Sequence, residues 1–330
     1  MKLLRGGLMT GLSLAVLVFC SPAALAVTVS AGAPDGTPHL LTELLFNATT
    51  PMKTTQEATS TTPKTLVSLP STLINTPGWV IGAQNGGAVG VQATTGPNGS
   101  TVDALEGEYP VAGSGGSYIW ANYSIANLNT EDVYIEFWAK MPSQYKGGFK
   151  FLKVFGQHSP ATGYANTTIG AGYTAPPYGA ITQVGFGDGT NLSNDSQNVI
   201  NLDGAYPQWI GRSYGTAVVQ TPQMSAFPAA DWGTGWHHFR VHIKFNSGTT
   251  SQSEVPNGEY YLEIDGKVYV DATGLYNRNP ANGPIEKIGF FGWAQEDPEP
   301  FQVCYYDIRI STGGFMDTPL PDPPSNVAVQ

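Results

Sequence analysis

Residues 235–271, GWHHFRVHIKFNSGTTSQSEVPNGEYYLEIDGKVYVD, constrain the fold more than any other stretch of this chain. Phe239, Val241, Ile243 and Phe245 alternate with His238, Arg240, His242 and Lys244, the period-two pattern of a strand with one face in a core. Tyr260, Leu262 and Ile264 then alternate with Tyr261, Glu263 and Asp265. Asp265-Gly266 supplies a positive-φ turn that returns the chain into Val268, Tyr269 and Val270. Three antiparallel strands in succession follow from this stretch alone. Short apolar runs between Gly, Pro and Asn clusters recur from Trp79 onward, and no apolar stripe of helical period persists for three turns. The expected fold is all-β, a two-sheet antiparallel sandwich.

The ends of the chain read differently. Lys2 and Arg5 precede the eight-residue apolar run Leu12 to Phe19, and Ala24-Leu25-Ala26 places small residues where a signal peptidase reads. The run is too short for a bilayer, which needs roughly 20 residues. Residues 1–26 are thus an expected signal peptide, and the mature chain is expected to be secreted, with no membrane insertion. Residues 27–78 form a Thr/Ser/Pro-rich leader with a candidate first strand at Leu40 to Phe46, residues 79–311 the main domain, and residues 312–330 a Pro-rich tail. Without Lys2 and Arg5, 13 of the 15 basic residues remain against 25 acidic ones, so nucleic acid is not an expected partner. One cysteine, Cys304, would then remain, which excludes an intramolecular disulfide. Six Asn-x-Ser/Thr sequons begin at Asn47, Asn98, Asn122, Asn166, Asn191 and Asn194.

Two strands carry candidate binding groups. In VYIEFWAKM, if Ile135, Phe137 and Ala139 face the core, then Glu136, Trp138 and Lys140 share the opposite face with Tyr134. Aromatic rings stack on the C–H faces of sugars, and charged groups bond the hydroxyls. In GFKFLKVFGQH, Lys153, Phe155 and Gln157 fall on one face and Lys150, Leu152 and Val154 on the other. Apolar residues on both faces leave open which one is the core. Residues 159–230 break the strand rhythm but are rich in tyrosine, suiting a groove wall. Asp188, Asn191 and Asp195 in that region are candidate oxygen ligands for a structural Ca²⁺, against the reading of a polar turn; no cofactor is required.

Trp236-His237-His238 opening a strand, and a later strand ending Ile264-Asp265-Gly266-Lys267, resemble the core hairpins of the concanavalin A-like lectin and glucanase superfamily, including its laminin-G-like and polysaccharide-lyase-like branches. The resemblance implies a jelly roll whose curved sheet makes a glycan-binding groove. The superfamily's glycoside hydrolases carry an E-x-D-x-E strand, which this chain lacks. The first functional expectation is therefore a lectin-like module binding a polysaccharide or glycoconjugate through Trp138, Glu136, Lys140, Lys153, Gln157, Arg240 and Lys244. The alternative is a polysaccharide lyase. Such an enzyme needs a base, a proton donor and cations that neutralise a uronate carboxylate, and His238, His242 and Tyr305 are the candidate catalytic groups.

Overall fold

The structure, a computed structural model, describes residues 30–44, 52–55, 64–67, 79–109, 117–140, 148–156, 166–171, 181–187, 199–201, 208–210, 235–248, 255, 257–275, 283–295 and 301–316. These residues form two stacked antiparallel sheets. Sheet I has nine strands. Its order is β16 (Lys267–Leu275), β15 (Gly258–Ile264), β14 (Trp236–Lys244), β8 (Asp132–Lys140), β19 (Phe301–Thr312), β6 (Thr101–Tyr109), β5 (Ala88–Thr95) and β2 (Met52–Thr55), with β1 (His39–Leu44) also on β19. Sheet II has ten strands. They run β13 (Gln208–Ile210), β12 (Val199–Asn201), β11 (Ile181–Gly187), β10 (Asn166–Ala171), β9 (Gly148–Gly156), β17 (Ile285–Phe290), β7 (Ser117–Ser124), β4 (Trp79–Gln84) and β3 (Lys64–Val67). The short β18 (Trp293–Gln295) lies between β7 and β9. A single 3-10 turn, Ala126–Leu128, is the only helix among the described residues. Strands β1, β2 and β3 arise from the Thr/Ser/Pro-rich leader, so the sandwich takes in part of that stretch. Residues 1–29, which hold the expected signal peptide, lie outside the described residues.

The alternation read from residues 235–271 is what builds the core. Phe239, Val241 and Ile243 on β14 pair with Phe137, Ile135 and Val133 on β8, and with Ile264, Leu262 and Tyr260 on β15, all buried on one side. Asp265 (φ 52°) and Gly266 (φ 77°) make the expected turn. From sheet II, Ile119, Ala121, Leu152, Val154, Ile288 and Phe290 meet this surface. Phe137 stacks on Phe239 at 4.9 Å and receives Phe290 edge-on at 5.3 Å, so aromatic packing ties the sheets together.

Two bulges change which residues reach the core. In β9 the pairing with β10 passes from Leu152 to Lys150, and the extra residue, Phe151, turns inward against Phe239 and Tyr305. In β19 the register shifts between Tyr306 and Arg309, where Asp307 has φ 49°. Before the bulge Phe301, Val303 and Tyr305 face inward; after it Ile308 and Ile310 do. The uninterrupted row Cys304, Tyr306, Ile308, Ile310 that strict alternation predicts is therefore broken, and Tyr305 replaces Tyr306 in the core.

Candidate functional site

The outward face of sheet I carries the row His238, Arg240, His242, Lys244, as its sequence predicts, but this face is built to be covered. Across five strands the register places Glu263, Arg240, Glu136, Arg309 and Glu43 in one line of alternating charge. Arg240 lies 3.5 Å from both Glu136 and Glu263, and Arg309 Nε donates to Glu43 at 2.8 Å. Opposite charges across strands satisfy one another here. Both ends of the described chain then close over the line. Met316 N–H donates to Glu136 Oε2 at 2.8 Å, and the Arg240 guanidinium sits 4.2 Å from the Phe315 ring centroid. Ala31 N–H donates to Asp271 at 2.6 Å, Tyr134 O–H donates to Ala33 O, and Lys244 bridges Asp35 at 2.9 Å and Glu259 at 3.1 Å. Ala31, Tyr134, Tyr261 and Phe315 form a second small core beneath this clasp.

Four of the sequence candidates have structural surroundings. Glu136 is only 3% exposed. His242 is completely buried and stacked on Tyr134 at 4.0 Å; its Nδ1 donates to Ala31 O, which can only accept, and its Nε2 faces the Asp132 carboxylate. With both nitrogens engaged, His242 is placed as a cross-link and has no route to a substrate. Tyr305 lies between the sheets with its hydroxyl donating to Phe151 O at 2.8 Å, so it cannot reach a ligand either. Lys244 is held above the ordinary lysine range, because its bonds to Asp35 and Glu259 outweigh the burial that disfavours its charge. Asp35, Asp132 and His242 bring ligand atoms within 4.8 Å, and the Lys244 ammonium already compensates that group.

Beyond the clasp, His238, Trp138 and Tyr306 share a register position, and Trp236, Lys140 and Cys304 the next. His238 is half-buried against Trp138 at 5.0 Å, and burial followed by Arg240 pulls its pKa below the ordinary histidine value. His237, whose sequence offers no carboxylate partner, has one in space: its Nδ1 is 2.6 Å from Asp265 Oδ2, while Asp265 Oδ1 accepts His238 N–H at 2.8 Å. The turn acid thus locks the strand opening. Cys304 is buried on the outward side, and burial and then Glu106 push its thiol up to about 12.

Sheet II presents the other outward face. Since Leu152 and Val154 belong to the core, Lys153 and Phe155 point away from it, which settles the ambiguity of β9, although both are themselves buried, at 8% and 9% exposed. The Lys153 and Lys287 ammonium groups lie 5.7 Å and 4.7 Å from the Phe155 ring centroid. Register places Lys153, Gly289, Asn122 and Val80 in one row across β9, β17, β7 and β4. A Cβ at Gly289 would meet Asn122 Oδ1 at 2.5 Å and Phe155 Cε2 at 3.2 Å, so glycine is what lets the amide and the ring approach over the strand. On β7, Ile119 and Ala121 are core while Tyr118 and Trp120 are stacked on the outward side at 5.3 Å. Burial raises the Tyr118 phenol pKa and keeps it protonated.

This face joins Lys153 to residues the sequence reading left out: Tyr118, Trp120, Asn122, Lys287 and Gly289. The signal was present in SYIWANYS, whose alternation separates Tyr118, Trp120 and Asn122 from Ile119, Ala121 and Tyr123. The structure also separates the candidates that sequence grouped: Lys153 is on sheet II, whereas Glu136, Trp138, Lys140, Arg240 and Lys244 are on sheet I. Gln157 and the proposed calcium ligands Asp188, Asn191 and Asp195 lie outside the described residues.

No known family profile and no curated protein matches the chain. Among solved structures it is similar to the endo-β-1,4-glucuronan lyase of the fungus Trichoderma reesei, at 10% identity over 83% of this chain and 96% of that one, with a TM-score of 0.46. It is similar to the alginate lyase Aly36B at 14% identity over 67% and 85% of the two chains, TM-score 0.41. The potassium-bound carbohydrate recognition domain of Emp46p is similar at 15% identity over 72% and 89%, TM-score 0.34. The fold assignment rests on this chain's own sheet order and register, two stacked antiparallel sheets, which match the jelly-roll architecture implied by the concanavalin A-like resemblance.

Proposed function

We propose that this is a secreted, lectin-like protein that binds an acidic polysaccharide on the outward face of sheet II. The observation carrying this reading is the pair of ammonium groups, Lys153 and Lys287, set against the Phe155 ring beside the stacked Tyr118 and Trp120. Trp120 and Phe155 are buried, so Tyr118, the more exposed ring of the group, is where the C–H face of a sugar would stack. The ammonium groups supply charge-assisted bonds to a carboxylate. In a chain of net charge −10, a local cationic pair on an aromatic floor favours an anionic sugar over a neutral one. Glucuronan and alginate, the substrates named for two of the similar structures, are suitable first ligands.

A second reading, β-elimination on the same face, is favoured by the protonated Tyr118, which can donate to a leaving oxygen while Lys153 and Lys287 neutralise the uronate carboxylate. The described histidines of the central strand β14 are on sheet I and do not supply a base on this face. Titration calorimetry with oligoglucuronate and oligoalginate, run beside absorbance detection of unsaturated uronate, tests both readings. Binding without new absorbance supports the lectin-like reading, new absorbance supports elimination, and silence in both assays refutes the placement of an acidic glycan here.

A further inference from the structure

We propose that Asn98 is an acceptor for an N-linked glycan, and that the fold selects it over Asn122. Both residues open an Asn-x-Ser sequon, yet their surroundings differ in every respect that matters to a bulky modification. Asn98-Gly99-Ser100 forms the tip of the hairpin between β5 and β6. Gly96 N–H donates to Ser100 O at 2.7 Å and Gly99 N–H to Gly96 O at 3.0 Å, which close the tip. Asn98 itself is half-buried, but Gly99 and Ser100 are exposed and a Cβ built at Gly99 would meet nothing within 4 Å, so the space beside Asn98 is open.

The side-chain bonds of the tip also survive the modification. Asn98 Oδ1 accepts both Ser100 N–H at 3.0 Å and Ser100 Oγ–H at 2.5 Å. Glycosylation takes place on the other atom, Nδ2. The anomeric carbon of a lipid-linked pyrophosphoryl oligosaccharide forms the new C–N bond, its C–O bond to the pyrophosphate breaks, Nδ2 gives up one proton, and the lipid pyrophosphate leaves. The carboxamide remains neutral and Oδ1 remains an acceptor, so the hairpin closes with the sugar attached.

Asn122 has none of this freedom. It sits inside β7 with β4 on one side and β17 on the other, and its Oδ1 lies over the Gly289 backbone. A sugar there would stand on the sheet II face and press on Gly289 and Phe155. A sugar on Asn98 instead stands at the end of sheet I, where Trp236 Nε1–H donates to Thr95 O at 2.7 Å, away from that face.

The test is the full chain behind a yeast secretion signal, with glycosidase release in ¹⁸O water and peptide mapping of the secreted and cell-retained protein. The expected result is labelled conversion of Asn98 to Asp, loss of the sugar in Asn98→Gln and Ser100→Ala, and its retention in Ser100→Thr. Unmodified Asn98 in the recovered protein, or sugar mapped to Asn122, overturns the proposal.

Discussion

Replacing Tyr305 by Phe separates a structural tyrosine from a catalytic one. Its ring packs on Phe151 and Phe290 at 5.3 Å and on Phe291 at 4.7 Å, contacts that phenylalanine retains. Only the hydroxyl is lost, with its buried 2.8 Å bond to Phe151 O. A buried hydrogen bond contributes about 1 kcal/mol net, and depriving a buried acceptor of its donor costs about 1–3 kcal/mol. At about 2–4 °C per kcal/mol for a domain of 150–250 residues, Tyr305→Phe should melt roughly 2–12 °C lower. The pH dependence has a definite sign. Burial holds the phenol pKa well above its unfolded value, so this contribution is complete below about pH 10 and is lost as pH rises beyond it. The gap between parent and variant should therefore narrow in alkaline melts. Glycan binding should be unaffected at neutral pH. A variant that melts with the parent but loses binding or cleavage would refute the placement of Tyr305 in the core.

The clasp over sheet I, the buried thiol and the β19 bulge give further expectations. Glu136→Ala removes the acceptor of Met316 N–H and one of two carboxylate partners of Arg240, and should destabilise by about 1–3 kcal/mol in chemical denaturation, with glycan affinity unchanged. Cys304 should not react with a thiol reagent at pH 8 until denaturant is added. With its pKa raised from 9.0 to about 12, the stability it contributes is present below pH 9 and is lost between the two values. At Asp307, φ 49° suits Asn but not a β-branched residue. Asp307→Val should cost about 1–3 kcal/mol more than Asp307→Asn in matched denaturant titrations.

Much of the fold was legible because the side-chain period of a strand is unambiguous when one face is buried. Phe239, Val241, Ile243, Leu262 and Ile264 went to the core as their alternation required. The bulges at Phe151 and Asp307 were not legible. Each inserts one residue and inverts every later assignment along its strand, and neither position carries a glycine to announce it. The site was harder still. Alternation showed that Glu136, Arg240 and His242 face away from the core, but not that residues 30–36 and 313–316 would cover them. Contacts between Ala31 and His242, 211 residues apart, leave no local pattern. On sheet II the relevant row is assembled across β4, β7, β17 and β9, so Lys153 and Lys287 meet at Phe155 only once strand order is known.

Titration calorimetry of an oligoglucuronate with the parent protein, Lys153→Ala, Lys287→Ala and Arg240→Ala distinguishes a site on sheet II from one on sheet I. An ammonium bonded to a carboxylate contributes about 1.5–3 kcal/mol, so each lysine variant should bind about ten- to a hundredfold more weakly, with a shallower salt dependence. Arg240→Ala should bind as the parent does, since its guanidinium is committed to Glu136, Glu263 and Phe315. Unchanged affinity in both lysine variants together with loss of binding in Arg240→Ala would exclude sheet II and return the site to sheet I.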